Sequence, residues 1–515
     1  MRFAAVLLCV GLGVAAKLSP AAETSRPDVT GPIAVTGNSR PYLGAAAEVE
    51  AAGYVEEEFF LSGPAHTYEW VGKGPAVQAI AGPVRYTTRI LVRRPRDPAR
   101  FSGTIEVNIL NASGGVDAGA PGDFAGMVKR GDAWIGVTTK SLTAQALKRF
   151  NPERYAALDW PNPTPAEQRC ARPSILPTFV YGPPEVFAAL PATTFNSEQE
   201  DGLVWDILAQ LARLLKSEAR ARLLPGFAKP FLFMTGASQS ANYVHTWIVG
   251  FHNRERQPDG KPLYDGYLPS VGGYLLRINQ CSRDIALQED LSKVPAPDVP
   301  VLSVMSESEI RNARFTTLPD VVRDRSGWIT WQVAGGTHGA GEVPGLSRKR
   351  LGLPDPAAAP ARPPQIPGVT FPADYLPNDL AWAPVLRAAY IDLVAWARDG
   401  VKPPQAPRIQ LDAQLSIVRD AHGNAQGGLR LPYVDVPVAS YRGSIGDQGL
   451  AAIIGQRQPF DAATLRRLYP SNADYTGRFN AATDALVQQR FISAEDGLAM
   501  KAAAARSAAA WAPGN

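Results

Sequence analysis

The chain has 515 residues, a formal net charge of +4 at pH 7 and three cysteines. A chain of this length can bury a large core, and its nearly balanced charge, with basic residues scattered rather than clustered, gives no reason to expect nucleic acid as a partner. No stretch after the amino-terminal region reaches the 18 consecutive apolar residues that would predict a membrane-spanning helix.

Residues 1–22 predict a secretory signal peptide. Arg2 supplies a positive charge, residues 3–16 form an apolar run too short to span a bilayer, and small residues up to Ala21 offer cleavage sites. Cleavage would remove Arg2 and Lys17, which leaves 50 basic and 48 acidic residues and a charge of +2. We therefore expect an exported protein, periplasmic or secreted, with no stable membrane insertion.

The first half of the remaining chain alternates strands with helices, which predicts a mainly parallel sheet covered on both faces. A strand starting at Tyr54 is expected to end at Ser62-Gly63-Pro64, and an inner strand ends in a glycine-rich loop at residues 111–115. The predicted elements here are strands over 54–61, 84–92, 103–110 and 133–139 and a helix over 124–130.

Two further segments precede the central motif. Residues 150–200 are rich in Pro, Asn, Thr and Ser with scattered aromatic residues, which is typical of a lid or a pocket wall. Apolar residues then recur at helical spacing and predict an amphipathic helix over 202–224.

The central motif is a serine at the apex of a predicted strand, turn and helix. The apolar run 231–234 has the length of a buried strand, and the helix-compatible segment that carries Tyr243 and Trp247 follows the turn at once. Ser238 lies in the sequence Gly236-Ala237-Ser238-Gln239-Ser240 of that turn. This layout is the nucleophile elbow of serine hydrolases, in which a sharp turn exposes the serine Oγ above the sheet. We therefore predict that Ser238 is a catalytic nucleophile.

Two later strands end in side chains that can complete a triad. A buried strand over 299–305 is followed by Glu307 and Glu309, and a strand over 328–333 is followed by His338. In α/β hydrolases the nucleophile, acid and histidine follow in this order, each on a loop after a strand. His338 is the only one of the five histidines in such a place, and the choice between Glu307 and Glu309 stays open with a slight preference for Glu309. The predicted oxyanion donors are backbone N–H groups of Gln239 and of Ala112 or Ser113.

The sequence resembles a family of bacterial exported α/β-hydrolase-domain proteins with a G-x-S-Q-S elbow. The segments that carry the resemblance span nearly the whole mature chain and are residues 53–59, 89–95, 110–115, 236–240, 264–267, 299–302, 306–309 and 334–338. It implies an α/β-hydrolase fold and a carboxylic ester hydrolase whose natural substrate the family does not define. The second acid of the family's Glu-x-Asp pattern is Glu309 here, so the choice of acid is again left open.

The expected organisation is a signal peptide (1–22), an α/β-hydrolase domain (23–405) and a carboxyl-terminal extension (406–515) on the same domain. Lid-like insertions are expected near 150–200 and 274–297. The predicted later elements are a Pro-rich loop over 343–377, a helix over 382–399, a loop and strand segment near the site mouth over 418–442, and helices over 460–510. Cys170 and Cys281 remain after cleavage and can pair in an oxidising compartment, which sequence alone does not decide.

These observations predict a serine esterase that needs no cofactor or metal ion and acts on an uncharged or aromatic ester or lactone. No spacing of metal ligands, no P-loop and no dinucleotide-binding fingerprint is present. A serine peptidase or an acyltransferase would use the same triad. A non-catalytic hydrolase-fold binding protein is the alternative of a different class.

Overall fold

A computed structural model describes residues 26–72, 74–112, 117, 123–170, 196–282, 294, 296–310, 314–341 and 369–510. The predicted signal peptide and Ser113 lie outside these residues, as do most of the Pro-rich loop and about half of each predicted insertion. Across the described ranges, no helix is long and apolar enough to cross a membrane.

A ten-stranded sheet forms the centre of the described structure. Its strands are β1 (Asp28–Thr30), β2 (Tyr54–Trp70), β3 (Val77–Pro95), β4 (Thr104–Ile109), β5 (Ala133–Val137), β6 (Phe231–Ala237), β7 (Gly266–Ser270), β8 (Pro300–Ser306), β9 (Val321–Val322) and β10 (Gly327–Val333). Their spatial order is β1-β2-β3-β5-β4-β6-β7-β8-β10-β9. The six strands from β5 to β10 in that order are parallel, and the strands at both ends are antiparallel. The predicted mainly parallel α/β sheet is confirmed.

Helices cover the sheet. They are α1 (Ala46–Ala51), α2 (Phe124–Arg130), α3 (Ser141–Phe150), α4 (Val204–Lys216), α5 (Gln239–Thr246), α6 (Ala383–Asp399), α7 (Pro432–Asp435), α8 (Ala462–Leu468), α9 (Asn472–Gln488) and α10 (Ala494–Ala510). Successive side chains of a strand point to opposite faces. Accordingly Leu232 and Met234 of β6 belong to the hydrophobic cluster that includes α4 and α5, whereas Phe233 belongs to the cluster that includes α6.

The prediction that the first long strand ends at Ser62-Gly63-Pro64 was wrong, because β2 continues to Trp70. The strand pairs with β3 as far as Trp70, with register shifts between Ala65 and Tyr68, and Ser62 Oγ lies 2.8 Å from Thr87 Oγ1 across the ladder. Gly63 is needed there, since an added Cβ would lie 2.2 Å from the side-chain oxygen of Gln210. Gly63 therefore does not form a turn, as its sequence neighbours suggest, but allows strand β2 to pack closely against helix α4.

The prediction of one helix over 202–224 was also wrong in its extent. Helix α4 ends at Lys216, and residues Glu218–Arg222 form a separate 3-10 turn. Ser217 separates the two with an extended backbone (φ −103°, ψ 173°), and its hydroxyl donates to the carbonyl of Leu214. A serine hydroxyl that bonds a backbone carbonyl in this way can end a helix. The spacing of apolar residues does not indicate this end.

The carboxyl-terminal region packs on the same body. It contributes a three-stranded sheet of β11 (Leu376–Pro377), β12 (Ala439–Arg442) and β13 (Gln456–Pro459), with β13 in the middle. Trp331 of β10 packs edge to face on Phe491, at 5.1 Å between ring centroids, inside one hydrophobic cluster that spans both regions. Elsewhere, Cys170 and Cys281 form a disulfide with their Cα atoms 5.5 Å apart.

Candidate active site

The turn between β6 and α5 holds Ser238 in an unusual backbone conformation. Its φ is +59° and its ψ is −124°, outside the regions that side-chain-bearing residues commonly adopt. Small neighbours permit the turn: a Cβ added to Gly236 would lie 2.5 Å from the carbonyl oxygen of Ser240, and one added to Gly272 would lie 2.6 Å from that of Ser238. The sequence therefore folds into the sharp strand-to-helix turn that it predicted.

The structure brings Ser238, His338 and Glu309 together. His338 Nε2 lies 2.8 Å from Ser238 Oγ, and His338 Nδ1 lies 2.6 Å from Glu309 Oε1. The loops of His338 and Glu309 meet because β10 runs parallel to β8 in a register that pairs Val333 with Ser306, so both strands end at the same edge of the sheet. The arrangement can take a proton from the serine hydroxyl and stabilise the resulting imidazolium.

The carboxylate of Glu309 is oriented by the strand end that precedes it. Its Oε2 accepts hydrogen bonds from the backbone N–H of Ser306 at 3.0 Å and from the Ser306 hydroxyl at 2.6 Å. Ser306 and Glu309 form a reciprocal capping box around the 3-10 turn Glu307–Glu309. Because one carboxylate oxygen is held in this way, the other is left for His338.

Glu307 is directed away from the histidine. Its Oε1 accepts from the Arg419 guanidinium at 2.8 Å and from the N–H of Gly443 at 3.1 Å, and its Oε2 accepts from the N–H of Gly335 at 2.8 Å. Only 1% of this side chain is exposed. Glu307 therefore joins three chain segments, and of the two glutamates only Glu309 contacts His338 in the described structure.

The predicted oxyanion donors lie on adjacent elements. Gln239 begins α5, and Ala112 follows β4, the strand next to β6; both residues are buried. The Asn111 side chain donates to the carbonyl oxygen of Ala237 at 2.8 Å, which ties the loop after β4 to the nucleophile turn. Ser113, the alternative to Ala112, lies outside the described residues.

The two histidines that follow Ser238 on helix α5 or just after it, His245 and His252, have structural partners. Burial lowers the pKa of His245 to about 3, and its ring stacks on Trp328. His252 lies between the Tyr267 hydroxyl, at 2.8 Å, and an Asp298 carboxylate oxygen, at 2.7 Å. Neither is hydrogen bonded to Ser238, and no group of three or more His, Cys, Asp or Glu in the described part of the chain could hold a metal ion.

A cavity of about 390 Å³ borders the serine and the histidine. Its lining includes the segment 271–274 after β7 and residues of the segment 447–453 in the carboxyl-terminal region. The sequence predicts an appended segment near the site mouth at 418–442, and it carries no motif that would indicate a role for 447–453. Small-molecule sites span roughly 300 to 1,000 Å³, so this cavity suits a compact ligand.

A model of the alpha/beta hydrolase domain family matches residues 29–502 of the chain. The match covers far more than half of the sequence and agrees with the sheet order and the strand-turn-helix motif described above. The protein belongs to the alpha/beta hydrolase domain family. A search of curated protein sequences gave no significant match.

Solved structures resemble the chain over about half of its length. They include acetyl xylan esterase 1 from Thermoanaerobacterium sp. JW/SL YS485, with 8% identity and a TM-score of 0.22 over 42% of this chain and 48% of that one. The esterase Est22 has 12% identity and a TM-score of 0.23 over 50% of this chain and 66% of that one. The siderophore hydrolase EstA from Aspergillus nidulans has 13% identity and a TM-score of 0.22 over 46% of this chain and 68% of that one.

Proposed function

We propose that this protein is a serine-dependent carboxylic ester hydrolase that works through an acyl-enzyme. The proposal is carried by one observation, the unbroken hydrogen-bonded chain from Ser238 through His338 to Glu309. Acyl transfer by serine needs a nucleophile, a base that takes its proton and an acid that fixes the imidazole tautomer. The three residues have the chemical types and the contacts for these roles.

The reaction proceeds in two halves. Ser238 Oγ attacks the ester carbonyl carbon while its proton passes to His338 Nε2; the C–O bond to the alcohol then breaks, and the leaving oxygen takes that proton. A water molecule next attacks the acyl-enzyme and gives one proton to His338, which returns it to Ser238 Oγ as the carboxylic acid leaves. Glu309 holds the imidazole in the tautomer with its proton on Nδ1 and stabilises the positive charge in both halves.

The negative oxygen of each tetrahedral intermediate needs hydrogen-bond donors. We assign this role to the backbone N–H of Gln239 together with that of Ala112 or Ser113, since the loop after β4 is tied to the nucleophile turn. One such donor contributes roughly 10²- to 10³-fold to kcat in a comparable site. The triad and these N–H groups suffice for ester hydrolysis, so the mechanism includes no metal ion or cofactor.

The cavity favours an uncharged ester or lactone. Val271, Tyr274, Ala452 and Ile453 contribute apolar surface to it, and no lysine or arginine lies among its described lining residues. A substrate carboxylate or phosphate would lose hydration there without gaining a cation in the described wall. An uncharged or aromatic ester or lactone is therefore the substrate class that we propose.

Labelling with a fluorophosphonate probe tests the enzyme proposal. The wild-type protein should form a covalent adduct, because the probe reports an activated serine, and Ser238→Ala should not. Ser240→Ala is the matched control, since it removes a hydroxyl two residues away and should leave the labelling in place. An unlabelled wild-type protein, or equal labelling of Ser238→Ala, would contradict the proposal.

We also propose that the protein is exported after removal of residues 1–22. The disulfide between Cys170 and Cys281 supports this, since such bonds persist in oxidising compartments. Sequencing the amino terminus of the protein recovered from the periplasmic or culture fraction tests the proposal. A protein that stays in the cytosol with Met1 in place would contradict it.

A further inference from the structure

The segment 443–455, here called the C-terminal wall, is bonded directly to the two catalytic loops. The Ser308 hydroxyl donates to the carbonyl oxygen of Gly443 at 2.5 Å. The Thr337 hydroxyl lies within hydrogen-bond distance of the carbonyl oxygens of Gly443, at 3.2 Å, and Ile453, at 3.1 Å. Both ends of the C-terminal wall are therefore held against the loops that carry the acid and the histidine.

Neighbouring residues leave this segment little freedom. A Cβ added to Gly443 would lie 2.6 Å from the backbone nitrogen of Ser308, and one added to Gly455 would lie 2.6 Å from Thr337 Cβ. Asn378 donates from its side chain to the carbonyl of Arg442 at 2.9 Å. Such close contacts make the C-terminal wall a fixed surface of the cavity.

Its surface toward the cavity has a polar part, with Asp447 and Gln448, and an apolar part, with Ala452 and Ile453. Ala452 and Ile453 line the cavity together with Ser238 and His338, and Ala452 is 8% exposed. Neither side chain can form a hydrogen bond or carry a charge. An apolar substrate group that packs against them gains affinity because it leaves water.

The chemistry of the reaction decides which part of the substrate meets this surface. His338 Nε2 must protonate the leaving oxygen, so that oxygen must lie within hydrogen-bond reach of Nε2 when the C–O bond breaks. The substituent on that oxygen is the alcohol part of the ester, and the C-terminal wall is bonded to Thr337, the residue before His338. We infer that Ala452 and Ile453 form the pocket for the alcohol part of the substrate and select esters of apolar alcohols. The inference rests on the proposed esterase function.

This assignment has a kinetic consequence. The alcohol leaves when the acyl-enzyme forms, and the second half of the reaction involves only the acyl group and water. A substitution in the alcohol pocket should therefore change the rate of acylation and leave the rate of deacylation unaltered. A pocket for the acyl part would affect both rates.

The test uses Ile453→Trp, which fills the cavity, and compares benzyl acetate with methyl acetate. Both substrates give the same acetyl-enzyme, so their ratio of kcat/KM reports the alcohol alone. We expect that ratio to fall about tenfold or more, since a single methylene is worth roughly 10- to 200-fold in a shaped apolar pocket. Ile391→Trp, on helix α6 and 39% exposed, is the matched control and should leave the ratio unchanged.

A second series keeps the alcohol constant. The ratio of kcat/KM for p-nitrophenyl butyrate and p-nitrophenyl acetate should be the same in Ile453→Trp and in the wild type. The inference would be overturned if Ile453→Trp changed the butyrate-to-acetate ratio and left the benzyl-to-methyl ratio unchanged. It would also be overturned if neither ratio changed.

Fluorophosphonate labelling separates the possible failures. If Ile453→Trp does not label while the wild type does, the variant is misfolded or blocked, and Ile453→Ala replaces it. The smaller alanine side chain makes less apolar contact with a benzyl group. The ratio of kcat/KM for benzyl acetate and methyl acetate should therefore fall about threefold or more, because each lost CH₂ contact costs about 0.8 kcal/mol. If the wild type itself does not label, the esterase proposal fails, independently of the pocket assignment.

Discussion

His338 Nδ1 lies 2.6 Å from Glu309 Oε1, whereas the carboxylate of Glu307, two residues earlier, is bonded to Arg419 and to two backbone N–H groups. The two glutamates stand on one 3-10 turn. Such a turn has three residues per revolution, so positions i and i+2 point in different directions. The local backbone thereby gives two identical side chains different partners.

Glu309→Gln should lower kcat by about 10⁴-fold. The amide would keep an oxygen on Ser306 and present its NH₂ to Nδ1, which favours the wrong imidazole tautomer. Steady-state hydrolysis of p-nitrophenyl acetate measures the effect. Glu307→Gln is the matched control and should lose far less. A larger loss in Glu307→Gln than in Glu309→Gln would show that the wrong acid has been assigned.

Arg419→Ala should destabilise the fold by about 3 kcal/mol, because it leaves the buried carboxylate of Glu307 without its cation. Urea unfolding measures the change. Arg478→Ala is the control, since Arg478 pairs with Asp474 on the surface, with 56% of the arginine side chain exposed, and should change stability by less than about 1 kcal/mol. Equal changes in the free energy of unfolding for the two substitutions would mean that the buried Arg419–Glu307 pair stabilises the fold no more than a surface pair does.

Gly443→Ala should lower both the thermal midpoint and kcat. Its Cβ would collide with the backbone of Ser308 at 2.6 Å and of Gly336 at 2.7 Å, so the C-terminal wall or the catalytic loops must shift. Differential scanning fluorimetry and ester hydrolysis measure the two effects. Gly477→Ala, in the middle of α9 with nothing within 4 Å of the added Cβ, should instead gain up to about 1 kcal/mol. Full activity in Gly443→Ala would show that the contact can relax.

Glu200 should make the stability of the protein depend on pH. Burial, with the charge of Asp201 adding to it, raises the pKa of Glu200 to about 8, although the N–H groups of Gly202 and Gln280 oppose the shift. The folded state therefore keeps the proton that the unfolded state loses near pH 4.5. The contribution of this proton to the free energy of unfolding is fully present below about pH 4.5 and is lost as the pH rises through 8. It amounts to about 1.4 kcal/mol for each unit by which the two pKa values differ.

Glu200→Gln removes that titration and keeps an oxygen for both N–H groups. Measured by urea unfolding between pH 5 and 9, the variant should gain stability relative to the wild type as the pH rises, by several kcal/mol in total. Glu218→Gln, with 95% of its side chain exposed, should follow the wild-type pH profile. If the stability of the wild type and that of Glu200→Gln changed in parallel with pH, the raised pKa of Glu200 would be refuted.

The nucleophile turn could be predicted because its causes are local. Gly236, Ser238 and Ser240 are close in the sequence, and the small side chains that the turn requires are visible there. The loops of the acid and the histidine could be located in the same way, since each follows an apolar strand. Helices α2 and α6 ended near their predicted bounds because Gly131 and Gly400 adopt positive φ at their carboxyl ends.

Features that depend on distant partners could not be predicted. The choice between Glu307 and Glu309 depends on Arg419 and Gly443, which lie more than 100 residues later. The continuation of β2 through Gly63 depends on its ladder with β3 and on Gln210. The role of residues 447–453 in the cavity follows from packing alone, because no local pattern distinguishes them from a surface loop.

The C-terminal wall also sets the order in which the site can be completed during synthesis. Ser238 leaves the ribosome 215 residues before Ile453, which at about 5 to 20 residues per second is a delay of roughly 10 to 40 s. Ser238 and then His338 are present in the nascent chain before Arg419, and Ile453 is missing throughout the interval. The proposed alcohol pocket is therefore the last part of the candidate site to be synthesised.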